Sequence, residues 1–313
     1  MAHPALRAKR RMAALRTLGF LSPWLIGFSV FFVYPLISTV YFSFTHYDGY
    51  SAPTWSGTQN WAYVFQDYPF FWPSLRNTLW LVVVMVSTRV AFGLGIGMLV
   101  TRLRRGGNLF RTFFYLPYLA PPVAATLAFV FLLNPGTGPV NTVLGGLGLP
   151  EPGWFKDADW SKPALTLLAL WGIGDLMVIF LAALLDVPKQ QYEAAELDGA
   201  NSWHRFRYIT LPNIKPIIVF AVVTGAIQIM SYYTQAVVAG KVSSGEAGGA
   251  GEVVEPGYPE KSTLTLPSSI YNLAFQRGDY GAACVIALVL FACSMAFTLL
   301  LMRRRFGLVQ GGE

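Results

Sequence analysis

The sequence predicts an all-α integral membrane protein, a single bundle of six transmembrane helices, and three observations predict it. First, 54% of the 313 residues are hydrophobic and only 12% are charged, about half the charge of an ordinary soluble domain. Second, six apolar runs are each about as long as the ~20 residues a membrane helix needs. Third, the basic residues gather in alternate connections between those runs. The formal charge of +7 would suggest a nucleic-acid partner in a soluble protein, but here it reads as a sorting label. Cys284 and Cys293 share one apolar run, and His3, His46 and His204 lie apart outside the runs. Neither a disulfide framework nor a metal cluster is expected.

Residues 1–17 form a basic head with Arg7, Lys9, Arg10, Arg11 and Arg16. The first span, 18–41, follows directly and resembles a signal peptide, but its apolar run is too long and lacks a small-x-small cleavage site. The remaining spans are 77–100, 113–133, 163–185, 214–233 and 281–302, giving one transmembrane unit over 18–302 and a tail at 303–313. Sixteen of the 23 basic residues fall in the head, after the second and fourth spans, and in the tail, so both termini are expected to be cytoplasmic. The connections on the other side are rich in Gly, Pro and aromatics. One contains Ser243–Gly251, read as a flexible linker.

Two ionisable residues lie near mid-span: Arg89 in the second run and Asp175 in the fourth. Such a residue costs roughly 2.5–3.5 kcal/mol to insert unless it faces a cavity or a partner. Both spans run from outside to inside, which puts the two charges at similar depth. Either they pair or jointly line a cavity, or Arg89 meets a companion subunit or backbone carbonyls. Gly93-x-Gly95-x-Gly97 lies in mid-membrane, where Gly93-xxx-Gly97 favours close helix packing over phosphate binding.

The segment 186–213 between the fourth and fifth spans is longer than a helix-to-helix connection requires. Asp186 or Val187 can open a first helix with Pro188 in its first turn, and Asp198-Gly199 reads as its end. Asn201 or Ser202 can cap a second short helix through Ile209, with Pro212 and Pro216 marking the return to the membrane. Such a knob suits either an interfacial helix resting on lipid headgroups or a docking surface for another protein.

The spacing Glu193-Ala194-Ala195, three residues, Gly199, nine residues, Ile209, one residue, Leu211-Pro212 resembles the EAA-x3-G-x9-I-x-LP pattern of permease subunits of bacterial ATP-binding-cassette importers. The strings around it, with Phe71–Leu79, Phe113–Pro122 and Asn134–Gly138, resemble the carbohydrate branch, which includes maltose, multiple-sugar and glycerol-phosphate importers. The resemblance runs from the first span onward. It implies the type I importer fold and a coupling helix in which Glu193, Ala194, Ala195, Asp198, Gly199, Arg205, Ile209, Leu211 and Pro212 serve a separate ATPase. No G-x-x-x-x-G-K-[ST] loop occurs in the chain. ATP and Mg are accordingly expected on that ATPase, with no cofactor on this chain and no bond chemistry in it.

The implied partners are a second, related permease, two ATPase subunits, an extracytoplasmic solute-binding protein, membrane lipid and a sugar. By the same resemblance the sugar path follows the fifth span, where Gln228, Ser231, Tyr232 and Tyr233 cluster. The tyrosines also suit an interfacial belt. An ion-coupled secondary transporter could share the span count and the buried charges without needing the spaced motif. A membrane-embedded enzyme would need a constellation such as H-E-x-x-H, which does not appear.

Overall fold

A computed structural model describes residues 4–103, 106–245 and 256–309, with side chains undescribed over most of 4–15 and beyond 301. The side chains of Arg7, Lys9, Arg10 and Arg11 in the head, Arg104, Arg105 and the side chains of the tail arginines therefore lie outside it, as does most of the Ser243–Gly251 stretch. The described chain is almost wholly helical. Four of its helices are long and apolar enough to cross a membrane, and six spans result if each of two bent pairs is one span.

The chain begins with α1 (Pro4–Phe28), which passes through a π turn at Ser29–Val33 into α2 (Tyr34–Phe42). The apolar window of this first span buries nothing within the chain; it rests on the bundle chiefly through α2, against the last described helix. A two-stranded hairpin follows, β1 (Thr45–His46) and β2 (Thr54–Trp55), pairing Thr45 with Trp55. In its loop the Asp48 carboxylate accepts backbone N–H bonds from Tyr50 and Ser51. Those bonds hold its pKa down to about 2.

After the short α3 (Gln59–Ala62) comes α4 (Phe71–Thr101), the central post of the molecule. The third apolar run is not one straight helix. It divides into α5 (Gly107–Tyr115), a 3-10 turn at Leu116–Leu119, and α6 (Pro122–Leu132), with a 98° bend between the two arms. The cause is local: Ala120 and Pro121 are extended at ψ 135 and 132, as residues preceding a proline prefer. After α7 (Pro139–Gly146), the fourth run is also broken, into α8 (Ala158–Trp171) and α9 (Gly174–Leu185), bent by 52° at Gly172–Ile173.

Next come α10 (Lys189–Leu197) and α11 (Ser202–Arg205). The second coupling helix was expected to end at Ile209, with Pro212 and Pro216 marking a return. Instead, α11 continues through a π turn, Phe206–Thr210, into α12 (Leu211–Met230) as one rod. In the π turn the Leu211 N–H donates to Phe206 O, and Pro212 has no N–H to lose to the change of register. The apolar run then stops at Ser231, and α13 (Thr234–Ser243) turns away. The connection that follows holds α14 (Leu266–Tyr271), and α15 (Tyr280–Val309) is the last described helix.

Four buried clusters hold the bundle among the described residues, two of them large. Leu81, Val82, Met85 and Val86 of α4 pack with Leu165 of α8 and Ala226, Ile229 and Met230 of α12. Phe71, Leu266, Leu273, Val285 and Ile286 form the second, with Tyr68, whose phenol burial pushes up to about 12. Gly93 and Gly97 let α4 lie against α9: a Cβ on Gly93 would stand 3.0 Å from Leu176 Cβ, and one on Gly97 3.4 Å from the Leu181 backbone. Close approach through small residues is how helices associate where lipid removes the hydrophobic drive.

Candidate functional site: a central cavity and a coupling knob

The three interruptions converge. The Ala120–Pro122 bend, the Gly172 bend and the end of α12 at Ser231 all border one cavity of about 350 Å³. Broken helices are tolerated at membrane depth where they line a cavity and their freed backbone groups find other partners. Arg89, Asp175, Gln228, Ser231, Tyr232 and Tyr233 all line this cavity. Tyr118 and Trp171 line it too, although the sequence reading did not single them out. Their signal was present in the proline run 117–122 and in Gly172, which bend those segments and turn the neighbouring aromatics inward.

Arg89 Nη2 donates to both Asp175 oxygens, at 3.1 and 3.2 Å. The two side chains are only 11% and 16% exposed. Asp175 sits in the first turn of α9, where the helix dipole also favours a negative charge. Arg89 Nε and the Tyr232 hydroxyl are both buried without a hydrogen-bond partner. Gln228 and Ser231 are exposed to the opening. The cavity wall thus carries one fixed ion pair, two unfilled donors, amide and hydroxyl groups, and aromatic faces. It suits a polyhydroxylated ligand, with hydroxyls meeting the polar groups and C–H faces meeting the rings.

The knob lies at the far ends of α4 and α9. The helix α10 starts after Pro188, which stands outside its first turn. It closes at Gly199, whose φ of +77° lies in the left-handed region glycine occupies freely. There Ala200 N–H donates to Ala195 O at 2.8 Å and Gly199 N–H to Glu196 O at 3.1 Å, the paired bonds of a Schellman end. The Asn201 side chain accepts the His204 N–H and caps the next helix.

Three side-chain contacts tie α10 to the rod, two of them short: the Tyr192 and Thr210 hydroxyls meet at 2.9 Å, and Asn213 donates to Gln191 at 2.8 Å. Arg205 pairs with Glu196 at 3.3 Å. Pairs of this kind join residues from separate helices, and the spacing of the motif alone does not signal them. Glu193, Ala194, Asp198, Gly199 and Pro212 are exposed, and Ala195, Arg205, Ile209 and Leu211 are half-buried. Leu197, Trp203 and Tyr208 are exposed at 90%, 66% and 72%, an apolar surface on a polar knob.

Comparison with known proteins agrees with this arrangement. Residues 89–306 match the family described as binding-protein-dependent transport system inner membrane component. The chain is 32% identical to the probable ABC transporter permease protein YesP of Bacillus subtilis, over 91% of this chain and 88% of that one. It is likewise 32% identical to the lactose transport system permease protein LacF of Rhizobium radiobacter, over 89% of this chain and 90% of that one. A bacterial ABC transporter involved in the import of the acidic polysaccharide alginate has a chain of the same fold, with TM-score 0.77 over 97% of this chain and 99% of that chain at 22% identity. The matched region holds the ion pair, the knob and the end of α12, and the chain belongs to the binding-protein-dependent transport system inner membrane component family, the permease subunits of ABC importers.

Proposed function

We propose that this chain forms half of the translocation pathway of an ATP-driven saccharide importer in the bacterial cytoplasmic membrane. The observation that carries the reading is the cavity where three interrupted spans meet, lined by Arg89, Asp175, Gln228, Ser231, Tyr232 and Tyr233. The likeness to a lactose permease supports a saccharide as cargo. Six spans with both termini cytoplasmic follow from counting each bent pair as one span and from the segregation of the basic residues.

In the cycle, a solute-binding protein delivers the sugar from outside, and Gln228, Ser231 and the tyrosines receive it at the foot of α12. The exposed surface around Glu193, Ala194 and Ala195 seats in a groove of a cytoplasmic ATPase. A second, related permease supplies the other half of the pathway, and each permease engages one of two ATPase subunits, which bind ATP and Mg. Because α11, the π turn and α12 are one rod, displacement of the knob is delivered directly to Ser231–Tyr233 at its other end. The chain itself needs no cofactor.

Uptake of labelled saccharide by cells expressing the full importer tests the proposal. Gln228→Ala and Tyr232→Phe are expected to lower uptake on the order of tenfold, about 1.4 kcal/mol of lost interaction, with the complex still assembled. Unchanged uptake in both variants would remove the cavity from the pathway.

A further inference from the structure

A second cavity, of about 300 Å³, opens between the knob and the ends of α4 and α9. Its lining is chemically mixed: Met98, Leu184, Leu185 and Phe206 are apolar, while Arg102, Arg205 and Ser202 are charged or polar. Arg102 caps the end of α4, and Leu185 is the last residue of α9, so the cavity lies where two spans leave the membrane. Arg205 is only partly engaged, because its partner Glu196 is 72% exposed and their separation is 3.3 Å. Such a pair is weak in water and leaves most of the guanidinium for another ligand.

We propose that this cavity binds the phosphodiester headgroup of an anionic phospholipid from the inner leaflet. The phosphate sits between Arg102 and Arg205 with the Ser202 hydroxyl, and an acyl chain runs along Met98, Leu184 and Leu185. Guanidinium groups match phosphate oxygens, and basic recesses between spans on the cytoplasmic side are suited to anionic headgroups. A soluble phosphate would use the two arginines but leave the apolar lining empty. A bound lipid would brace the knob against the spans it drives, so that the push of the ATPase moves α12 and is not lost in flexing of the α9-to-α10 connection. The inference rests on the cytoplasmic placement of the knob.

The test uses the whole importer, ATPases included, in nanodiscs of phosphatidylcholine doped with a minor fraction of phosphatidylglycerol, with bound lipid read by native mass spectrometry. The parent complex is expected to retain phosphatidylglycerol above its share of the bilayer, and Arg102→Gln to lower that retention on the order of fivefold. Arg207→Gln removes an exposed charge of the same knob that does not line the cavity, and should leave retention unchanged. No enrichment in the parent complex overturns the proposal, as does equal loss in the two variants. So does displacement of the lipid by inorganic phosphate, which would identify a soluble-anion site, or cross-linking from Arg102→Cys to a protein subunit, which would identify a protein occupant. Loss of the ATPases from the same spectra would count against the placement of the knob, while lipid retention reads the site itself.

Discussion

Arg89 is the residue with the greatest energetic exposure to error, because its charge lies at mid-span on α4 and its main partner is on another helix. Removing one member leaves the other charge buried among apolar helices, which costs more than removing both. Arg89→Leu and Asp175→Leu are each expected to lower the melting temperature of the purified importer and its transport. The double variant should recover part of the loss, with a coupling of about 1–3 kcal/mol in a double-mutant cycle. Strictly additive losses would mean that the 3.1 Å contact contributes nothing. The comparable depth of the two charges was legible in the sequence, since each stands near the middle of a span running in the same direction. Their pairing was among the readings the sequence offered, and the structure shows it; the sequence could not decide it, because it depends on the rotation of α9 about its axis, where Gly93 and Gly97 admit Leu176 and Phe180.

Among the elements, α10 and the α11-to-α12 rod show why some local structure could be read in advance and some could not. The end of α10 at Gly199 was readable, since a glycine after Asp198 supplies a left-handed residue at little cost. No atom outside its immediate chain neighbours lies within 4 Å of where a Cβ would stand on Gly199, so the requirement is one of backbone conformation alone. Gly199→Ala is therefore expected to destabilise the knob by about 1 kcal/mol. The check is saccharide-stimulated ATP hydrolysis, which should fall while the basal rate persists. Full stimulation in that variant would make the Schellman end dispensable for coupling. Proline carries two meanings, and this is where the sequence reading erred. At Pro121-Pro122 the extended residues before the ring break the span, but at Pro212 the chain absorbs the missing N–H by widening one turn. Which outcome occurs depends on whether neighbouring helices support a straight path, and the Tyr192–Thr210 and Gln191–Asn213 bonds support one here.

As a whole, the molecule does not close on itself. Its accessible surface is 19655 Å², whereas a folded soluble monomer of 34.5 kDa would expose about 13,000 Å². The excess is apolar in character: Phe20, Phe31, Phe113 and Phe131 are 88%, 83%, 71% and 65% exposed. Lipid and companion subunits must cover such a surface, because contiguous apolar area of this extent does not persist in water. Membrane orientation then decides which end of the bundle meets which partner. Lys156 lies in the 3-10 turn Trp154–Lys156, before α8, and Lys189 opens α10. On the proposed six-span count the bent α8–α9 pair is one span, which puts them on opposite sides of the membrane. The proposed orientation, which rests on the basic-residue asymmetry, puts Lys189 on the inside. With Cys284 and Cys293 replaced by Ser, a membrane-impermeant maleimide on intact cells should label Lys156→Cys and spare Lys189→Cys until the membrane is opened. Both native lysines are exposed, so poor access within the fold would not mimic protection by the bilayer. Labelling of both positions on intact cells would mean that the α8–α9 pair re-enters on one side without crossing. The reverse pattern would place the knob outside and separate it from any cytoplasmic ATPase.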